Sequence, residues 1–524
     1  MEAQEILKFC LEKGLLVDKE VLSLLSETND LDCAKLIISE IRDHTTQKVI
    51  TKSVFEKNKD AVNKIFLEMP QKNREKLENF KIKLGLSIEI PKDVATQLIK
   101  EHSKEKALLE EDDIKVVSTC PVQSKKLEVQ DFVKYFRGRL NKIRGILQER
   151  SELTNLISIN KISGNSQGVS IIGIISDKRT TKSKNILLDV EDSTGRIKVL
   201  INQNKPDLYA KAEELALDSV IGVRGSGKKE IIFANDIIFP DGALHERKKG
   251  EVDEYAAFIG DLHFGSKRFL EKQFLKFIDY LNGKLPNTPE VSKIRYLFIV
   301  GDVVTGVGNY PDQEKDLEIG DLEAQFSGLA TLLSKIRRDI KIIISPGNHD
   351  GVRLMEPQPF LDEKYAWPIY NLKNVILTTN PCMINMGAKK DFSGFNVLTY
   401  HGFSYTHYAN NIPYLMLKRA MNSPEDIMKY VMKNRHLAPT HSSVQYFPSE
   451  EDALFIKEIP DIFVSAHTHK SGTSYYNNIL MVSTSCWEAM TPYQEKFGNT
   501  PDHCKVPIFN LKTRAVKILD FEGN

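Results

Sequence analysis

The sequence predicts a multidomain α+β protein, with a small helical module at the N-terminus, a five-stranded β-barrel in the middle and a large C-terminal domain built on buried strands. Three observations carry that prediction. Apolar residues recur at helical spacing over residues 3–43, residues 169–240 read as three strands, a helix and two strands, and five apolar runs beyond residue 255 each stop at a side chain able to ligate a metal. At 524 residues the chain exceeds one ordinary domain and can bury a large core.

Composition narrows the function classes. Lys+Arg 72 against Asp+Glu 71 leaves a formal charge of +1, so no global basic field draws the chain to nucleic acid, and attraction to phosphate must be local or come from a partner. Cys10, Cys33, Cys120, Cys382, Cys486 and Cys504 form no C-x-x-C pair, which fits reduced thiols rather than a disulfide framework or zinc knuckle. The start Met1-Glu2-Ala3-Gln4-Glu5 lacks a basic region followed by an apolar one, and no run is long enough to span a membrane. The expectation is a cytoplasmic protein with no membrane partner.

Residues 1–50 read as an N-terminal helical module of three helices, with Asp18 and Asn29-Asp30 at helix starts. Residues 51–127 are rich in Lys, Glu, Asp and Asn and read as a charged flexible linker with weak helices at 54–67 and 94–101. Over 128–150, Val129, Phe132, Val133, Phe136, Leu140, Ile143 and Leu147 form one stripe of an amphipathic helix, expected to pack on the barrel while Lys134, Arg137, Arg139, Lys142, Arg144 and Arg150 stay in water.

Residues 151–245 carry the barrel. Ser170–Ile175, Asn185–Val190 and Arg196–Ile201 read as strands, Glu191–Gly195 as a hairpin turn, Asp207–Leu215 as a helix, and Ser219–Arg224 and Glu230–Ala234 as closing strands. That order is the order of an OB-fold β-barrel. Its aromatics are only Tyr209, Phe233 and Phe239, too few for a stacking platform, so protein docking is favoured over direct strand binding.

Residues 250–524 hold the chemistry. Ala257–Ile259 ends at Gly260-Asp261-Leu262-His263, and Leu297–Val300 ends at Gly301-Asp302. Ile342–Ile344 breaks at Pro346-Gly347 and presents Asn348, His349 and Asp350, Val397–Tyr400 ends at His401, and Ile462–Ala466 ends at His467-Thr468-His469. Each run reads as a buried strand whose small residues let the chain turn where a side chain enters a shared crevice. Carboxylates, imidazoles and an amide gathered in this way suit a pair of divalent cations with positions left for water and phosphate. Between these motifs, Phe269–Leu281 reads as a covering helix, the Gly- and Asp-rich stretch 301–321 as a substrate wall, and Ile412–Arg435 as one core helix.

The series resembles the calcineurin-like metallophosphoesterases, whose pattern is Asp-x-His, Gly-Asp, Gly-Asn-His-Asp/Glu, His and Gly-His-x-His. Gly306–Pro311, Glu356–Pro359, Arg435–Thr440 and Pro460–Phe463 make the chain similar, more narrowly, to the small subunits of archaeal family D DNA polymerases, from about Glu128 to the C-terminus. This resemblance implies an OB-fold domain followed by a calcineurin-like phosphoesterase β-sandwich flanked by helices. It implies that Asp261, His263, Asp302 and His469 hold one ion and Asp302, Asn348, His401 and His467 the other, with Asp302 bridging. His349 is implied as the non-ligand histidine that steadies the phosphorus or protonates the leaving oxygen, with Asp350 orienting it. Ala466 departs from the family's glycine and puts local packing in question.

The two ions suit Mn²⁺, with Fe, Zn or Mg left open. The implied role is a metal-dependent 3′→5′ exonuclease that proofreads for a polymerase whose large catalytic subunit is a separate chain, acting on a DNA primer–template. The sliding clamp is a further partner compatible with that role, although no clamp-binding peptide is recognised. Two alternatives are a catalytically idle scaffold subunit and a small-substrate phosphodiesterase.

Overall fold

The computed structural model describes residues 2–26, 35, 38, 39, 42, 49–51, 54, 114–118, 126–164, 166–449, 451–496 and 498–523. The chain divides into two compact units, Met1–Glu111 and Asp112–Asn524. In the first, α1 (Glu2–Glu12) and α2 (Lys19–Ser26) bury Ile6, Cys10, Val21 and Leu25, and α2 starts at Asp18 as its sequence suggests. A short parallel pair, β1 (Leu16–Val17) and β2 (Val49–Ile50), joins them and was not anticipated in an all-helical module. Most of the third predicted helix and the weak helices at 54–67 and 94–101 lie outside the described residues.

The linker expected over 51–127 contains an ordered strand. β3 (Ile114–Ser118) pairs antiparallel with β13 (Cys382–Met386), and Ile114, opposite Met386, is buried. The β-branched Ile-Lys-Val-Val run favours a pleated, half-buried surface once a sheet edge is available.

Helix α3 (Val129–Gln148) opens with a reciprocal capping box between Glu128 and Asp131. Its later turns place Leu140, Ile143 and Leu147 against Ile172, Ile174, Val220 and Ile238 of the barrel. Its first turns place Tyr135 and Phe136 in the core of the C-terminal domain beside Leu437 and Tyr446. The helix therefore packs on both neighbours. Arg139, expected in water, is fully buried, and its Nε donates to Asp452 Oδ2 at 2.7 Å. The buried surface is wider than the apolar stripe because a partner on another element neutralises the guanidinium.

The barrel is closed, in the order β4 (Ser166–Thr180), β5 (Ile186–Glu191), β6 (Arg196–Ile201), β8 (Ile231–Ile238) and β7 (Val220–Lys228), with β6 and β8 parallel and α4 (Pro206–Glu213) leading into β7. Asp192 shapes the β5–β6 turn, since its Oδ1 accepts from the amides of Thr194 and Gly195. Phe239 is buried, and Phe233 is the half-exposed ring on this surface.

The C-terminal domain is a two-layered sandwich of six-stranded sheets. One has the order β12 (Val375–Leu377), β11 (Lys341–Ser345), β10 (Ile294–Val300), β9 (Tyr255–Gly260), β18 (Lys505–Asn510), β19 (Val516–Asp520). The other runs β16 (Gly472–Tyr476), β17 (Ile479–Ser483), β15 (Ile462–Ser465), β14 (Phe395–Tyr400), β13, β3. Phe258, Phe298, Ile343, Ile384, Val397 and Val464 fill the space between the sheets. The intervening positions Ile259, Ile299 and Ile344 turn outward against α5 (Glu271–Leu281), α6 (Leu322–Leu333) and α7 (Glu363–Tyr370). Strands covered on both faces read as unbroken apolar runs, and each fully buried side chain contributes roughly 1.5–3 kcal/mol relative to exposure.

The second sheet is covered by α8 (Tyr405–Asn411), α9 (Pro413–Leu417) and α10 (Pro424–Lys433), not by the single core helix expected over 412–435. Pro413 and Pro424 each start a new helix because neither offers an amide to continue the previous one. Met428 and Met432 are core residues, but Leu417 is 82% exposed at the break.

Candidate metal centre

The site lies where β9, β10, β11, β14 and β15 end, and the backbone there is strained in a telling way. Asp261, His263, Asp302, His467 and His469 all have left-handed φ, between 47° and 70°. A non-glycine residue in that region is uncommon, costs of order 1–3 kcal/mol, and persists only when its surroundings over-determine it. Here the glycines make it possible. Gly301 has φ +72°, and a Cβ on it would meet His401 Nδ1 at 2.1 Å; a Cβ on Gly347 would meet Asp302 Oδ1 at 2.3 Å. Gly301→Ala is therefore expected to lower stability by about 1–3 kcal/mol and to displace His401, read by thermal melting and by metal content after loading.

All seven expected ligands converge. Asp261, His263 and His469 form one group, and Asp302, His401 and His467 another, while His263, Asp302 and His349 form a third that overlaps both. Asp302 Oδ2 lies 3.2 Å from His401 Nε2 and 4.0 Å from His263 Nε2, which places this carboxylate between the two groups. Asn348 Oδ1 is 3.0 Å from His401 Nε2, and His467 Nδ1 is 3.2 Å from the same nitrogen. His263 Nε2 and His469 Nε2 face each other at 3.2 Å.

That donor set fits a pair of cations. Ring nitrogens bound to one ion at about 2.0–2.1 Å stand roughly 3 Å apart, as these do. Asp261 Oδ1 is buried without a hydrogen-bond partner, 3.9 Å from His469 Nε2, and an uncompensated buried carboxylate oxygen is costly. Burial, reinforced by Asp302 and opposed by His401, pushes the Asp261 carboxyl well above its usual range. Burial would raise Asp302 too, but His401 and His349 hold it well below. Two adjacent buried carboxylates cannot both be charged cheaply, and cations remove that conflict.

Around the ligands runs a shell of backbone and amide contacts. Asp302 Oδ1 accepts from the His349 amide at 2.7 Å, and Asp261 Oδ2 from the His467 amide at 2.8 Å, so each carboxylate keeps one oxygen for the centre. The His349 Nδ1–H donates to Thr305 O at 2.9 Å, which leaves Nε2 for the open side. Asn309 Nδ2 donates to the same carbonyl at 3.0 Å. Asp350 does not orient His349 as expected: its oxygens accept from the amides of Gly347 at 2.7 Å and Val304 at 2.9 Å, pinning the two ligand loops together. Burial, with Asp302 adding, pushes Asp350 up to about 7. Sequence reasoning also missed Gln494, whose amide lies 2.8 Å from His469 Nδ1.

The four signature stretches acquire physical roles. Gln358 Oε1 accepts from Asn380 Nδ2 at 2.7 Å, and Asn380 Oδ1 accepts from the His401 amide at 2.8 Å. In the 435–440 stretch, His436 Nε2 donates to Asp452 at 2.8 Å and Thr440 Oγ1 donates to Leu217 O of the barrel at 2.8 Å. Asp461 accepts from the Asn396 amide at 2.9 Å and pairs with Lys248. Ala466 is accommodated because its Cβ faces Gly260, where a second Cβ would approach to 2.9 Å.

Comparison with known proteins agrees with this architecture. The family model for the B subunits of DNA polymerases alpha and epsilon matches residues 256–473, and the one described as OB-fold nucleic acid binding domain matches residues 169–234. The DNA polymerase II small subunit of Pyrococcus horikoshii is 36% identical over 473 residues, covering 87% of this chain and 73% of that protein. The small subunit of Methanothermobacter thermautotrophicus is 34% identical over 398 residues, covering 75% and 80%. That of Pyrococcus abyssi is 38% identical over 406 residues, of which this chain spans 64% of the relative's length. Among the described residues no helix is long and apolar enough to cross a membrane. The resemblance read from residues 306–311, 356–359, 435–440 and 460–463 is thus borne out by relatives aligned over most of the chain, and the protein belongs to the family of archaeal DNA polymerase II small subunits.

Proposed function

We propose that this chain is the proofreading subunit of a replicative polymerase heterodimer: a two-metal phosphodiesterase working as a 3′→5′ exonuclease, which also scaffolds the large catalytic subunit. Its substrate is a DNA primer–template met in the cytoplasm, and the sliding clamp is a further partner. The observation that carries this reading is the complete ligand set, five of whose members are held at left-handed φ around a buried carboxylate oxygen with no other partner. An idle scaffold has no physical use for so costly a cluster.

Asp261, His263, Asp302 and His469 would hold one divalent cation and Asp302, Asn348, His401 and His467 the other, Mn²⁺ best suiting the mixed donors and Fe, Zn or Mg being the alternatives. When bound, such a pair supplies a Lewis acid that makes water nucleophilic near neutral pH and offsets phosphodiester charge. The protein's own share is positioning. Asp302 keeps Oδ2 toward both groups while its Oδ1 fixes the loop carrying His349. His349, locked at Nδ1 by Thr305 O, offers Nε2 to the phosphoryl oxygens or the departing 3′ oxygen.

The test is hydrolysis of a 3′-labelled mismatched primer–template by the protein with its large subunit and Mn²⁺. Stepwise mononucleotide release is expected. No release with any of the four metals would leave the scaffold reading, and hydrolysis of small diesters alone would favour the small-substrate enzyme. His349→Ala is expected to keep both metals by elemental analysis and to lose about 10²–10³-fold in kcat. Loss of metal in that variant would mean that His349 is a ligand.

A further inference from the structure

The candidate metal centre has buried residues and residues that meet solvent. Asp261, Asp302 and His401 are buried on its floor, whereas Asn348, His349 and His467 are half-buried and meet solvent. The loop that leaves Asp302 rises beside His349, where Asn309 Nδ2 lies 3.2 Å from the ring nitrogen. The next residue is Tyr310, whose side chain is 43% exposed.

An exposed tyrosine on a loop would ordinarily swing through several rotamers, but this one is tethered. Its hydroxyl donates to Asp316 Oδ2 at 3.1 Å, and Asp316 is held by Arg268 Nη1 at 2.7 Å. Burial and Asp316 push the phenol up to about 12, so it stays a donor at any working pH. The loop itself is fixed: Gln313, fully buried, donates to Thr305 O at 3.0 Å and accepts from the Asn309 amide at 2.8 Å. Val307 on the same loop, Leu354 after β11 and Met490 after β17 are also exposed apolar residues on loops at the ligand-bearing ends of the strands. The Phe403 ring packs edge-on against His467, with centroids 5.4 Å apart.

A phosphodiester seated on the metal centre has a base on either side of it. In a duplex those bases are stacked and paired, and they have no use for an apolar rim. An unpaired 3′ end leaves its bases free, and a rigid aromatic face that has already lost its rotamer freedom binds them at little entropic cost. We propose that Tyr310 is a specificity-determining residue whose ring stacks on a base at an unpaired 3′ terminus, so that the centre selects frayed or mismatched ends over paired ones. The proposal rests on the exonuclease reading.

The experiment compares two substrates in the complex with the large subunit, loaded with Mn²⁺: a primer–template with a mismatched 3′ end, and methyl p-nitrophenyl phosphate, which has no base. Tyr310→Ala is expected to lower kcat/KM on the mismatched primer about ten- to hundredfold, mainly through KM, and to leave the small ester unchanged. Tyr310→Phe keeps the ring but loses the hydroxyl tether to Asp316, so it is expected to recover part of the primer activity, above Tyr310→Ala and below the unmodified complex. Two results overturn the proposal while sparing the exonuclease reading: an unchanged kcat/KM on the primer, or an equal loss on both substrates, which would make the ring a prop for the Thr305–Asn309 loop. If the unmodified complex cleaves the ester but no primer, or cleaves neither, the exonuclease reading falls and this one with it.

Discussion

Replacing Asp302 by Ala is expected to reduce exonuclease turnover by about three orders of magnitude or more while the subunits remain associated. The carboxylate has two jobs at once. Oδ2 lies between the two ligand groups, 3.2 Å from His401 Nε2 and 4.0 Å from His263 Nε2, and Oδ1 accepts from the His349 amide. Without it, a pair of cations would lose its shared carboxylate, and several kcal/mol of charge stabilisation would be forfeited at roughly tenfold per 1.4 kcal/mol. Asp302→Asn separates the two jobs, since the amide oxygen still accepts from His349 but carries no charge. It is expected to lose nearly as much activity, with elemental analysis showing fewer than two metals per chain. Co-purification with the large subunit should be unaffected, because Asp302 is buried and offers a partner no surface. Retention of more than about a tenth of the activity in Asp302→Ala would sink the bridging role.

These residues could be placed from the sequence for a physical reason. A strand buried on both faces must be an unbroken apolar run, and its end is marked when a glycine or small residue precedes a polar one, as at Gly260-Asp261 and Gly301-Asp302. What supports them left no such mark. Thr305 holds His349 through a backbone carbonyl, which any residue type could provide. Asp350 sits next to His349 in the chain, yet its oxygens turn to the amides of Gly347 and Val304, and adjacency suggested the wrong partner. Gln494 lies 25 residues beyond His469 on a short helix with no periodic signal. The strand at 114–118 is too short to stand out from charged surroundings until a sheet edge pairs with it. The break at Pro424 was written in the sequence, but the apolar spacing runs through it and suggests a single helix.

Arg139 is the largest departure, and it leads to the second strong expectation. Its partner Asp452 lies 313 residues away, so nothing local distinguishes it from the solvated Arg137 or Arg144. In the fold, Asp452 accepts from Arg139 Nε at 2.7 Å, Tyr135 Oη at 2.6 Å and His436 Nε2 at 2.8 Å, while Arg139 Nη1 donates to Pro439 O at 2.5 Å. The His436 tautomer is set as well, because its Nδ1 accepts from the Ala438 amide at 3.0 Å. Burial, with Arg139 adding, brings His436 down to about 4, so it is neutral in this network. Asp452→Ala strands a buried guanidinium between α3 and the C-terminal domain, and is expected to cost about 3–5 kcal/mol in denaturant melts. Arg139→Met with Asp452→Leu removes both charges and should cost distinctly less than Asp452→Ala alone, since an apolar pair of similar volume avoids the stranded charge. The pH dependence has a definite sign. Burial raises the Asp452 carboxyl, but His436 and Arg139 outweigh it and hold it well below its usual range. Its contribution is therefore fully present above the unfolded value of about 3.9 and is lost as pH falls toward the folded one. The stability gap between the unmodified protein and Asp452→Ala should be constant from pH 8 to 5 and shrink only below about 4. A gap that closed near neutral pH would instead assign the stability to a protonated His436.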